Sequence, residues 1–203
     1  MRARVFILIA AVLLSCSCGR NVSRMLSDVE SYMSDRPDSA LSVLRAVPEE
    51  TICRKALKAK YSLLHSQMLD KNLIEVTSDS IISPAVEYYS HHGSAGDRLK
   101  MYYLRARIAR NAGDDESAMK WLAEGEKYVP GNKNHSVSGR VYAMKSHIYR
   151  GMYDYPRAME NIRTAYDFYI MDGNVPSQVS ALLDVAFIDL LTKDYVSAGA
   201  VLD

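Results

Sequence analysis

Residues 102–122 run Tyr102-Tyr103-Leu104-Arg105-Ala106-Arg107-Ile108-Ala109-Arg110-Asn111-Ala112-Gly113-Asp114-Asp115-Glu116-Ser117-Ala118-Met119-Lys120-Trp121-Leu122, and the next proline is Pro130. From Tyr102, small or apolar residues recur at Ala106 and Ala109, with Ile108 one face over. That is helical spacing, not the alternation of a strand. Gly113 follows, at a place where a helix end tolerates a left-handed backbone, and Asp114 or Asp115 can cap the helix that starts next. In this second helix Ala118 and Leu122 are i,i+4 neighbours, with Trp121 alongside. A residue as small as Ala118 lets two helices approach closely, and Pro130 stops the second one because it has no N–H and disfavours helix in the residue before it. The stretch therefore predicts a helix, a tight turn and a second helix.

The phrase recurs. Tyr142 to Tyr149 is followed by Tyr153-Asp154-Tyr155-Pro156-Arg157-Ala158-Met159, then Ile162 and Ala165; Leu182 to Asp189 is followed by Lys193-Asp194-Tyr195-Val196-Ser197-Ala198. Ala118, Ala158 and Ala198 are 40 residues apart each time. A fixed period of this length marks a repeat architecture.

These residues resemble the tetratricopeptide (TPR) repeat family. An aromatic at Tyr102, a small residue at Ala106, the Gly113-Asp114 turn, Ala118 and Pro130 stand at that family's intervals; Tyr142, Ser146, Tyr149, Tyr155, Ala158 and Ala165 match in the second repeat, and Leu182, Ala186, Tyr195 and Ala198 in the third. The resemblance covers 97–203 and implies an all-α fold, a right-handed solenoid of antiparallel helix hairpins. Arg105 departs from it, standing where a leucine is usual. The period is longer than the family's, with the surplus expected in loops such as Gly131 to Val137. The third second helix, from about Val196, is short, and the chain is expected to be a truncated product or an excerpt of a longer protein.

The stretch 23–94 is helical but more degenerate. Met25, Val29 and Tyr32-Met33 share a face, Ala40 and Leu44 repeat the small–large pair after Pro37, and Pro48 ends that hairpin. Leu57, Tyr61, Leu64 and Met68 mark an amphipathic helix. Asp70 to Ser80 is a polar linker, and Ile81, Ile82, Ala85, Val86 and Tyr89 line another face, with Pro84 leaving its start at either Ser83 or near Asp79. His91 to Gly96 is expected as a loop. The composition agrees with helices: 48% hydrophobic, only 10 glycines and 6 prolines, but 14 tyrosines and 10 methionines. A formal net charge of +1 argues against a strongly basic nucleic-acid binder.

The first residues are a leader, not fold. Arg2 and Arg4 precede an apolar run from Val5 to Leu14, too short to span a bilayer but suited to a signal peptide. Leu13-Leu14-Ser15-Cys16 resembles a bacterial lipobox, which implies a signal peptide over 1–15, acylation of Cys16 and a tether over 16–22. Leu14 is bulkier than usual for its place, and Cys18 is the rival. Removal of Arg2 and Arg4 from 25 basic residues leaves them one short of the 24 acidic ones, so acyl chains, and no polybasic patch, would hold the chain to lipid. With this leader, 23–94 resembles the N-terminal part of TPR lipoproteins of Bacteroidetes-type bacteria, and the position is expected at the outer membrane facing the periplasm. Cys53 is expected as a lone small hydrophobe on a helix, with a Cys18–Cys53 bridge the alternative.

The chain has no Gly-rich phosphate loop, HExxH, paired CxxC or GxSxG. His91-His92 is the only histidine cluster and reads as a solvated helix terminus; Asp114-Asp115-Glu116 reads as a helix start; Trp121 and the tyrosine stripes read as core. No enzyme, cofactor or metal is expected. In TPR arrays the first helix of each repeat lines the concave face, which would place Lys100, Tyr103, Arg107, Arg110 and Asn111 there in one repeat and Arg140, Ala143, His147 and Arg150 in the next. Lys100, Arg107, Arg110, Arg140 and Arg150 are cations with no acid among them. Arg and Asn there resemble the clamp some TPR domains use for peptide carboxylates; an ordinary solvated face is the competing reading. The expected function is a protein- or peptide-binding scaffold whose partner is acidic or has a free carboxylate. The alternative is the sensory or docking half of a longer signalling protein with an effector beyond residue 203.

The lipid anchor is open to direct test. Cys16→Ala should abolish incorporation of a fatty-acid probe and membrane partitioning, while Cys18→Ala keeps both; full labelling of Cys16→Ala would place the anchor elsewhere.

Overall fold

The computed structural model describes residues 21–202, without the side chain of Leu202. The leader and the candidate acylated Cys16, with its rival Cys18, lie outside the described residues. Among the described residues every regular element is helical. The chain divides into two compact units, at His92/Gly93.

In the first unit, α1 covers residues 21–32, so Asn21 and Val22, at the end of the expected tether, are helical. Then come α2 (Pro37–Arg45), a 3-10 turn (Glu49–Thr51), α3 (Lys55–Lys71) and α4 (Ser83–Tyr89). Pro37 opens α2, where its missing N–H costs nothing. Leu26, Val29 and Met33 meet Ala40, Leu41 and Leu44, and Tyr61, Leu64 and Met68 of α3, in one buried cluster. The helical spacing of these residues announced that face. The start of α4 falls at Ser83, with Pro84 in its first turn. The buried Ser62 hydroxyl fixes the approach, donating to the Ile81 carbonyl and accepting from the Ala85 amide at 3.3 Å. Cys53 is not on a helix: it is exposed between the 3-10 turn and α3, and its neighbour Ile52 takes the buried place.

The second unit holds α5 (Ala95–Asn111), α6 (Asp115–Glu126), α7 (His135–Gly151), α8 (Tyr155–Asp172), α9 (Val175–Leu191) and α10 (Tyr195–Leu202). Helix starts repeat every 40 residues: Ala95, His135 and Val175, then Asp115, Tyr155 and Tyr195. The caps repeat with them. Asp114, Asp154 and Asp194 each accept the amide three residues on, at 2.9–3.2 Å, and Ser94, Asn134 and Asn174 do the same for the preceding helices. Of the two acids weighed for the α6 cap, Asp114 serves. The residue before each Asp cap has positive φ: Gly113 at 80°, Tyr153 at 62° and Lys193 at 64°. Only glycine adopts that backbone without a Cβ penalty. The loop expected over His91 to Gly96 is shorter, because Ala95 and Gly96 already form the first turn of α5 behind the Ser94 cap. The surplus expected in loops is found there in one repeat only. Residues 127–134 link α6 to α7, whereas α8 has 18 residues against 12 in α6 and leaves Gly173-Asn174 as its link to α9.

Consecutive helices pack: α5 with α6, α7 with α8, α8 with α9 and α9 with α10; α7 also meets α5 and α6. Ala118, Ala158 and Ala198 are all buried. Gly139 lets α7 receive the Tyr169 ring, since a Cβ there would stand 2.5 Å from it. Arg105, the residue out of family pattern, lies over the half-buried Trp121 ring at 3.7 Å. Tyr102 stacks on Trp121 and on Tyr128, at 6.4 and 5.9 Å. Forty residues on, Tyr142 stacks on Phe168 at 5.6 Å with Lys145 over it at 5.3 Å. A cation on each ring adds about 0.5–1 kcal/mol at such partly exposed places and replaces the apolar cover a leucine would give. No helix among the described residues is long and apolar enough to cross a membrane.

Ala118→Leu and Ala158→Leu should each lower stability by about 1–3 kcal/mol through overpacking, read as a shifted urea midpoint. Ala112→Leu, at an exposed position beside the turn, should do much less; equal, negligible effects at all three would contradict the packing described.

Candidate functional site

The helix caps set the rotation of α5 and α7, and with it the direction of the basic residues. Arg107 and Arg110 lie on the last turns of α5; His147 and Arg150 lie on the last turns of α7. All four are half-buried. Burial is the largest influence on Arg110 and lowers its pKa; Asp115 opposes this, and the charges of Arg107 and Arg150 lower it further. The guanidinium stays charged in any case. The three arginines thus stand close enough to disfavour one another in a partly dried face.

Arg140, two turns nearer the α7 start than His147, places its guanidinium 5.8 Å from the Tyr103 ring centre. Tyr103 itself is buried, so it supports Arg140 more than it faces solvent. Tyr169 closes the floor. Burial raises its phenol pKa; Arg140 pulls it down, and Tyr103 and Asp184 push it up. Lys100 and Asn111 are half-buried at the two ends of this stretch of α5, and Lys100 is not among the charges that act on Arg110.

An acid completes the cluster. Asp184 on α9 takes His147 Nε2 on one carboxylate oxygen and Arg150 Nη1 on the other, each at 2.7 Å. Burial is the largest influence on its carboxyl and works upward. The hydrogen bonds and charges of His147 and Arg150 together outweigh it and leave the pKa below the usual carboxylate value. Sequence reasoning missed this residue because the comparison of first helices stopped at the second repeat. The signal was present: Asp184 stands 40 residues after Met144 and twice that after Leu104, both buried apolar residues. An acid in that column has to find cations. Arg150 also lies 5.0 Å from the Phe187 ring centre, which joins the cluster to an apolar stripe of α9, where Leu183, Phe187 and Leu190 are 55%, 48% and 46% exposed.

Two further pockets include charged side chains in their lining. One of about 260 Å³ is lined by Glu126, Tyr142, Lys145, Tyr149 and Arg157. Its charges are largely spent internally: Lys145 pairs with Glu126 at 2.7 Å. The Tyr142 hydroxyl is pushed to about 12 by burial first, then by its hydrogen bond to Glu126 and that acid's charge. The other, of about 350 Å³, belongs to the first unit and includes Lys55, Lys58, Glu87, Tyr88 and His92. His91 and His92 follow the end of α4 and are exposed. Among the described residues no group of three or more His, Cys, Asp or Glu is placed to hold a metal ion. Comparison with protein-family models, with curated proteins and with solved structures gave no match.

The depressed Asp184 carboxyl sets a pH dependence. A carboxyl whose folded pKa lies below its unfolded value of about 3.9 contributes stability above that value and loses it as pH falls through the folded pKa. Urea midpoints of wild type and Asp184→Asn should therefore differ at pH 6 and converge toward pH 2.5. A gap that is constant with pH would mean that Asp184 contributes by packing and not by charge.

Proposed function

We propose that the chain is a non-catalytic binding scaffold of TPR type, a right-handed solenoid of antiparallel helix hairpins, which captures an acidic segment of a partner polypeptide on the face formed by α5 and α7. We further propose that a lipid on Cys16 tethers it at the outer membrane, on the periplasmic side. The single observation that supports the binding reading is the crowding of Arg107, Arg110 and Arg150 in a half-buried face, where a carboxylate would relieve their mutual repulsion. Asp184 already answers His147 and Arg150 and Asp115 acts on Arg110, so an incoming acid would join carboxylates already set against these cations. The 40-residue recurrence of starts, caps and buried alanines supports the solenoid reading.

The magnitudes are modest. Each exposed ion pair contributes roughly 0–1 kcal/mol. A forked guanidinium contact adds more because its geometry matches a carboxylate. Several together reach the ~8 kcal/mol of micromolar binding.

The test measures binding of glutamate- and aspartate-rich peptides to the wild type and to Arg107→Gln/Arg110→Gln, at two salt concentrations, with circular dichroism to confirm helicity. Binding should weaken about tenfold or more in the variant. It should also weaken in wild type as salt rises, since screening acts over ~10 Å at 0.1 M. Unchanged or salt-independent binding would take the ligand off this face.

A further inference from the structure

Trp121 is the seventh residue of α6 and Asn161 the seventh of α8. Trp121 fills its corner: Tyr102 stacks on the indole, and Arg105 lies over it at 3.7 Å. Forty residues on, Tyr142 and Lys145 take the places of Tyr102 and Arg105. Asn161 brings no ring to that corner, and a cavity of about 260 Å³ lies against it. One wall is α7, with Tyr142, Lys145 and Tyr149; another is α8, with Arg157, Glu160, Asn161 and Thr164. Spacings of three, four and seven residues put each set on one side of its helix.

The lining sets opposite charges against each other. Lys145 donates to Glu126 at 2.7 Å, with its side chain 14% exposed, and the Tyr142 hydroxyl bonds the same carboxylate. Arg157 lies 3.4 Å from Asp154 and over the Tyr149 ring. An ammonium has three donors. Glu126 takes one from Lys145, and drying the others is costly unless an oxygen meets them. Asn161, 8% exposed, donates to the Arg157 carbonyl at 2.8 Å, and Thr164 donates to the Glu160 carbonyl at 2.9 Å. What these two side chains keep for a ligand is chiefly acceptor oxygen. An anion entering here would meet Glu126 and Glu160, and a cation would meet Lys145 and Arg157. A hydroxyl group suits both signs, because its oxygen accepts from an ammonium while its proton goes to a carboxylate or amide oxygen.

We propose that this cavity of the second unit binds one neutral, ring-sized, polyhydroxylated molecule of the sugar or cyclitol class, with Lys145 donating to its hydroxyls and Glu160, Asn161 and Thr164 accepting from them. The volume lies just under the range of about 300–1,000 Å³ usual for small-molecule clefts, which suits a single ring and not a chain of them. Its chemistry differs from that of the arginine face. There charge draws the ligand; here the charges offset one another, and the placement of donors and acceptors selects it. Few apolar atoms are covered, so affinity is expected around the millimolar range.

Saturation-transfer NMR titrations of the full chain test this with glucose, galactose, mannose and myo-inositol. Glucuronate and glucosamine, which put a charge of either sign on a similar ring, and the zwitterion alanine complete the set of probes. At least one neutral ring should bind with a Kd of about 10 mM or tighter, and about tenfold more tightly than each charged probe. Asn161→Trp, which copies the preceding repeat, should abolish that binding. Glu160→Ala, at an exposed position, should weaken it about fivefold or more and guards against Asn161→Trp failing to fold, with circular dichroism as the check on both.

Absence of binding by all four neutral rings would overturn the inference. Equal or tighter binding of a charged probe or of alanine would overturn it too, by making the cavity an ion site. Affinity unchanged in either folded variant would place the bound ring elsewhere on the molecule.

Discussion

Asp114, Asp154 and Asp194 each hold the amide three residues ahead, directly after a residue with a left-handed backbone. This turn and cap is the constraint on which the second unit depends. It fixes the residue at which each second helix starts, and so the rotation of that helix about its axis. A start displaced by one residue would turn a helix by about 100° and carry Ala118 or Ala158 out of the crossing it occupies. The cap also satisfies amides that a helix start otherwise leaves open. Its recurrence at a constant interval is why residues 40 apart occupy comparable places. The conformation is costly at Tyr153 and Lys193, which lack glycine's freedom at φ 62° and 64°. That both keep the turn shows how strongly the packing on either side imposes it.

Charge is managed differently on the two sides of these helices. On one, Glu126 is held by Lys145 and by the Tyr142 hydroxyl, and Arg105 and Lys145 rest on aromatic rings. Those cations are absorbed by structure, and their pocket has little charge left to offer a ligand. On the other, Arg107 and Arg150 act against the charge of Arg110 in a half-buried face, with Asp115 favouring it and Asp184 meeting His147 and Arg150. A face that tolerates such repulsion is a natural place to look for recognition of an anion, which is the basis of the proposed binding role.

Much of this was legible beforehand because it is local. Helical spacing announced Tyr61, Leu64 and Met68 as a buried face, and the Gly113-Asp114 turn and the interval between Ala118, Ala158 and Ala198 announced the helix pairs. Two features fall outside that local reading, one of them in part. The surplus length expected in loops lies in the 127–134 link in one repeat, but in the next the largely apolar run Asp167 to Asp172 continues α8 instead. Small apolar character puts Cys53 on a helix, whereas it is exposed ahead of α3 and Ile52 beside it takes the buried place.

Taken alone, the amino-acid sequence determined the all-helical class, the 40-residue period, the turn positions and the set of basic residues on the first helices, because each is set within a few residues by spacing, capping and backbone preference. Only the tertiary structure decided that Asp184 lies against His147 and Arg150, 37 and 34 residues before it, that Arg105 covers Trp121, and that Tyr103 is buried and not displayed. Those outcomes depend on how closely separate helices approach and which rotamers their packing leaves open. The side-chain period within one helix does not specify either.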